Sequence, residues 1–268
     1  MADYKGPYDS FLAVNSDLAS SVTQLGSVFT VNFTPALGIP LNAKNVSLSF
    51  VQGTFWWTIP NFQTSTIQLF VQDEKKVEVS IPLTIPKGLY NYKQINTLMG
   101  NAFQDRGFAR NSIEFVENGA TSTIDLSFAI IGAVVFPLGS CEKQFGYDAG
   151  VRYEFTGAGN TASKFVRAPH VASFDTIQYL TVGCSLVNGG FRLNSGTYRG
   201  VIANVTINAA PGYQITAEPA NPLEIPTNVF EGGTGLERAT FYLMDQDGNA
   251  VDTNGEAWTL LLRIRYYL

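Results

Sequence analysis

The sequence predicts an all-β protein, a sandwich of antiparallel strands, and three observations point that way. Apolar residues recur with a period of two along most of the chain. Gly and Pro punctuate it at short intervals, with 25 and 12 copies in 268 residues, and a single segment switches to a helical period. At this length a chain forms either one large all-β unit or two modest domains, and buries a substantial core in both cases.

The strands follow from the alternation. VFTVNF sets Phe29, Val31 and Phe33 on one face. VSLSFVQGTFWW sets Val46, Leu48 and Phe50 on one face and Val51, Phe55 and Trp57 on the other. The pattern returns in TIQLFV (Ile67, Leu69, Val71), KVEVSIPLTI (Val77 to Ile85), STIDLSF (Ile124, Leu126, Phe128), FDTIQYLTVGCSLV and GVIANVTI (Val201, Ala203, Val205, Ile207). It is cleanest in AWTLLLRIRYYL, where Trp258, Leu260, Leu262, Ile264 and Tyr266 share a core face and Thr259, Arg263 and Arg265 a wet one.

The segment NYKQINTLMGNAFQDRG breaks the period. Ile95, Leu98, Met99, Ala102 and Phe103 fall at helical spacing, Asn91 reads as an N-cap with Gln94 three residues on, and Gly107 ends the run. The spacing predicts one amphipathic helix over Asn91 to Arg106, docked on a sheet. Residues 1–25 lack a strand pattern and read as an N-terminal arm, dispensable for the fold and free to lie across a neighbour. Gly157 to Pro169 is small, polar and turn-rich, and reads as a linker or long loop.

Composition narrows the function. Charged residues are 15% of the chain against a usual share of roughly 25%, while aromatics are plentiful, with 19 Phe, 12 Tyr and 3 Trp. A chain with so little charge to spread over a solvated surface suggests that other copies cover much of it. The net charge of −5 and the absence of a basic cluster argue against direct nucleic-acid binding, which needs a Lys/Arg excess on some face. The N-terminal stretch has neither the basic region nor the apolar core of a secretory signal, and no run is long and apolar enough to span a membrane. On that reading the glycosylation tripeptides at Asn32, Asn45 and Asn204 are chance matches, and Cys141 and Cys184 are buried free thiols.

The candidate metal site is DQDGNAVDTNGE. It places Asp245, Asp247, Asn249 and Glu256 at the first, third, fifth and twelfth positions of a calcium loop. The flanking segments alternate as strands rather than helices, and Ala250 stands where the loop needs Gly, so a turn between strands is the preferred reading and no metal or other cofactor is expected. No catalytic constellation presents itself: His170 is the only histidine, and no Gly-rich phosphate loop precedes the helix. The chain is therefore read as not an enzyme. Phe55, Trp56 and Trp57 could stack on a sugar, which makes a lectin-like carbohydrate-binding module the competitor from another class.

ATFYLMDQDGNAVDTNGEAWTLLLRIRYYL, two strands joined by an Asp/Gly/Asn turn, resembles the final hairpin of jelly-roll capsid proteins in the adenovirus, polinton-like virus and virophage group. IPKGLYNYKQINTLM and FDTIQYLTVGCSLV resemble segments of the same proteins, so the resemblance covers about half of the chain. It implies a structural protein of an icosahedral virion, without catalytic activity, that joins copies of itself and neighbouring capsid proteins. It leaves an internal membrane undetermined and admits a host receptor or glycan as an outer partner. That group holds a vertex (penton) protein with one jelly roll, which forms pentamers, and a major capsid protein with two, which forms trimers. A double roll needs about sixteen strands and the sequence shows about a dozen. A single jelly roll over residues 26–75 and 165–268, with an inserted β-rich domain over 76–164 carrying the helix, is the expected architecture. A compact double jelly roll is the alternative.

Overall fold

The computed structural model describes residues 6–156, 164–174, 177–187, 200–230 and 235–268. The chain divides into two compact units, the first built from Met1–Ile59 and Ile177–Leu268 and the second from Pro60–Thr176. The first unit opens with β1 (Tyr8–Asn15), β2 (Ser21–Val22), β3 (Val28–Leu37) and β4 (Lys44–Trp56). The second holds β5 (Ser65–Gln72), β6 (Glu78–Ile85), helix α1 (Tyr92–Gln104), β7 (Ile113–Asn118), β8 (Thr123–Phe128) and β9 (Gly132–Val135). It continues with the one-turn helix α2 (Glu142–Phe145), β10 (Arg152–Phe155) and β11 (Phe165–Val166). The chain returns to the first unit for β12 (Tyr179–Cys184), β13 (Gly200–Thr206), β14 (Gln214–Ala217), β15 (Ile225–Pro226), β16 (Leu236–Met244) and β17 (Thr259–Tyr267).

The first unit is a jelly-roll sandwich. One sheet runs β1-β17-β4-β14, with β15 also on β4, and the other runs β13-β12-β16-β3-β2. Without the two-residue strands β2 and β15, this is two sheets of four, the eight strands of a roll. Their inner faces share one core, in which Leu48, Phe55, Leu262 and Ile264 from the first sheet meet Phe29, Val182 and Phe241 from the second. Trp258, immediately before β17, ties the sheets together. Its ring lies 4.6 Å from Phe29 and 5.9 Å from Phe55, and its indole N–H donates to the Gly26 carbonyl at 2.9 Å. Position 26 needs a glycine on separate grounds: Gly26 has φ of +72°, and a Cβ there would lie 2.1 Å from the Thr253 hydroxyl.

Two strands depart from the simple alternation. The register of β4 against β17 steps from Gln52 directly to Phe50, leaving Val51 as a bulge. One extra residue reverses the phase, so Leu48 and Phe50 before it and Phe55 and Trp57 after it all enter the same core, where alternation placed them on opposite faces. In β13 a bulge at Ile202 does the same, turning Ile202 and Val205 inward in place of an unbroken series through Val201 and Ala203.

The second unit has its own core, with Phe62, Ile67, Met99, Phe115, Phe136 and Phe145 among its buried members. Its sheets run β10-β9-β5-β6 and β11-β8-β7. Helix α1 starts where the spacing predicts: the Asn91 side chain accepts from the Gln94 N–H at 3.0 Å and the Gln94 side chain accepts from the Asn91 N–H at 2.8 Å. It buries Ile95, Met99 and Phe103. A second helix, α2, was not expected; four residues are too few to show a period, and only Gly146, left-handed at its C-cap with φ of 78°, marks its end.

Three expected boundaries are corrected. Residues 8–15 are not a free arm but strand β1, paired with β17 from Tyr8↔Tyr266 to Asn15↔Thr259 and placing Leu12 and Val14 in the core. Its short inward series, Leu12 and Val14 alone, is too brief to stand out as alternation. TIQLFV, expected in the roll, is β5 of the second unit because its partners are β6 and β9. Residues 165–174 also belong to the second unit, where β11 pairs with β8. The first part of the expected linker, 157–163, lies outside the described residues, as do residues 175–176 of the FDTIQYLTVGCSLV stretch.

Candidate functional site

The DQDGNAVDTNGE segment joins β16 to β17 as two successive turns. In the first, the Asp245 carboxylate accepts from the Asn249 N–H at 2.7 Å and from the Asn249 side-chain amide at 3.0 Å, and Gly248 takes φ of 78°. In the second, Asp252 accepts from the Asn254 N–H at 2.9 Å, and Asn254 and Gly255 take φ of 55° and 81°. Between them Val251 and Thr253 are buried, and Thr253 N–H donates to the Leu25 carbonyl, which pins the loop to the sandwich. Asp245 and Asn249 are thus brought together as each other's hydrogen-bond partners, whereas Asp247 and Glu256 point into solvent. Among the described residues no three His, Cys, Asp or Glu side chains converge as metal ligands.

His170 is exposed and pairs with Asp148 at 3.0 Å, and Asp148 also accepts from the Tyr153 hydroxyl at 3.3 Å. A hydrolytic arrangement would need a nucleophile within hydrogen-bond reach of the imidazole. Cys141 and Cys184 are buried, and burial pushes both thiols up to about 12, so neither holds a thiolate at neutral pH. Of the three aromatics proposed as a sugar platform, Phe55 and Trp57 lie in the core and Trp56 alone reaches the surface.

The most structured charged surface lies on the outer side of β17, where the sequence marked only a wet face. Arg265 grips Asp9 of β1 with two bonds, 2.8 and 3.0 Å, and also reaches Glu224; Arg263 donates to the same Glu224 oxygen at 3.1 Å. The bonded guanidinium holds the Asp9 carboxyl below its usual range, and Arg265 is raised in turn. Asp9 lies 256 positions before Arg265 and Glu224 lies 39 and 41 positions before the two arginines, so no local pattern could have paired them.

No family model matches the sequence, and no curated protein matches it. Among solved structures, the chain is similar to the crystal structure of the mavirus penton protein, with a TM-score of 0.50 and 9% identity, over 98% of this chain and 100% of that one. At such identity the likeness is one of fold, and it agrees with the jelly-roll sandwich described above.

Proposed function

We propose that this chain is a structural protein of a virus capsid, a vertex protein that assembles with copies of itself and acts without catalysis. The observation that supports the reading is the reach of the fold likeness: it takes in nearly the whole of both chains, and therefore both units of this one. The second unit also favours one roll over two, because its described residues hold seven strands in sheets of four and three, with helices among them. A chain with charge this sparse fits a role in which subunits cover one another's surfaces. Its place is the virion, reached after assembly in the host cell, and its partners are its own copies and neighbouring capsid proteins.

Native mass spectrometry of the purified chain tests the proposal. Five copies is the expected result. Three copies would replace the vertex role with that of a trimeric coat protein, and a single copy that binds glycans would replace the capsid reading with a carbohydrate-binding one.

A further inference from the structure

The jelly roll has two lateral edges, and they differ. On one side stand β1 and β2, the terminal strands of the two sheets, joined through a three-residue turn at Ser16–Leu18. On the other stand β14 and β13, the opposite terminal strands. Exposed strand edges are templates for further pairing, and proteins that remain single guard them with Lys, Pro or a bulge. β1 has none of these: it pairs with β17 over eight residues without a register break, and no Lys, Arg, His or Pro occurs between Tyr8 and Thr34. This edge instead presents Phe11 and Leu18, 62% and 83% exposed, followed by Val22 and Leu25.

The opposite edge carries the counterpart. Between β13 and β14 lies an open slot of ≈ 470 Å³ lined by Phe50, Ile202, Val205 and Ala217, with Leu223 exposed at its rim. The runs Leu18 to Ala43, which holds β2, and Gly200 to Ala217, which holds β13 and β14, carry no charged residue. β1 itself carries Asp9, which is paired with Arg265, Asp17 precedes Leu18, and Glu218 lines the slot. In a chain with a net charge of −5, two copies meet with little repulsion along edges this poor in charge, and loss of charge is the compositional mark of an interface core.

We infer that copies of this chain join head to tail, the β1/β2 edge of one sandwich seating Phe11 and Leu18 against the β13/β14 slot of the next. The inference rests on the self-assembly reading above and adds which surfaces carry it. A two-fold contact through β1 and β2 alone would leave every slot open. A head-to-tail contact uses both edges of every copy, and such contacts close into a ring when the rotation between copies closes.

The test uses the full chain and two charge-bearing pairs of substitutions at exposed positions, Phe11→Lys with Leu18→Lys on one edge and Thr206→Lys with Leu223→Lys on the other. Each variant should run in native mass spectrometry as a single chain, with a circular dichroism melt like that of the parent. Mixed in equal amounts they should form a two-chain species and nothing larger, because only one intact edge of each kind is left. The milder pair Phe11→Ser with Leu18→Ser reads the same edge should the lysines disturb folding, and should weaken assembly at least roughly ten-fold, the loss of one apolar anchor. A folded variant of either edge that keeps the parent's copy number, or a mixture that stays single, overturns the inference while leaving the capsid reading in place. A parent chain that is itself single overturns both.

Discussion

At the scale of single residues, the same chemistry can read as a metal site or as a turn, and the partners of each side chain decide which. Asp245 has the position of a first calcium ligand, yet both its oxygens accept hydrogen bonds from Asn249, the residue that would be the third ligand in the loop. The amide of Asn249 faces Asp245 as a donor, whereas a calcium ligand must offer oxygen. What the pair accomplishes is to close the turn that feeds β17, so that Val251 and Thr253 sink into the sandwich and Trp258 arrives between Phe29 and Phe55. The consequence is that calcium should be irrelevant to stability and the carboxylate should not. Asp245→Ala is expected to cost about 1 kcal/mol, the typical worth of such side-chain to backbone bonds, read as a lower urea midpoint with unchanged slope. Calcium in millimolar excess should leave the midpoint of the parent chain where it was. A rise with calcium that Asp245→Ala abolishes would make the loop a metal site after all.

At the scale of elements, what was legible in the sequence was every long strand whose alternation ran unbroken, and the helix whose cap and stripe agreed. β17 and α1 are seen where the pattern puts them. The bulges at Val51 and Ile202 were not legible, because a bulge is defined by what lies across the ladder and leaves the strand's own composition unaltered. β1 was missed for a related reason: its register and its Asp9–Arg265 clasp are supplied by the far end of the chain. That clasp makes a prediction about pH. Asp9 has its carboxyl held below the unfolded value of about 3.9, chiefly by the bond from Arg265. A carboxyl lowered on folding contributes stability above its unfolded pKa, and that contribution is lost as pH falls through the folded one. The melting temperature of the parent should therefore exceed that of Asp9→Asn by a constant margin from neutral pH down to about 5, and the margin should close in stronger acid. The margin will be small, since the pair is partly exposed. A difference that widens on acidification would mean that Asp9 does not hold β1 in this way.

At the scale of the whole molecule, the chain leaves its roll once and comes back once, and the second unit it builds in between has a separate core and separate sheets. The two ends of that unit are held side by side by one residue. Asn61 is 9% exposed; its amide donates to the carbonyls of Tyr90 at 2.8 Å and Phe174 at 3.1 Å, and its carbonyl accepts from the Tyr90 N–H at 2.8 Å. Phe62, the next residue, lies at 5.6 Å from the Phe174 ring and 5.9 Å from that of Tyr90, so the polar clamp has an aromatic one behind it. A unit with its own core and adjoining ends is what tolerates excision, because closing it requires no rearrangement of the backbone inside. Pro60 to Thr176 expressed alone should thus fold cooperatively, with the circular dichroism of a β protein carrying one helix. Asn61→Ala in that fragment leaves the half-buried carbonyl of Phe174 without its donor, and should lower stability by about 1–3 kcal/mol. Asn61→Asp keeps the acceptor for the Tyr90 N–H but turns a carboxylate oxygen on the carbonyls of Tyr90 and Phe174, so it should be no milder than Ala. A fragment that stays unfolded would show that the second unit depends on the roll for its structure, and a fragment indifferent to Asn61→Ala would show that the rings of Phe62, Tyr90 and Phe174 hold its ends without help.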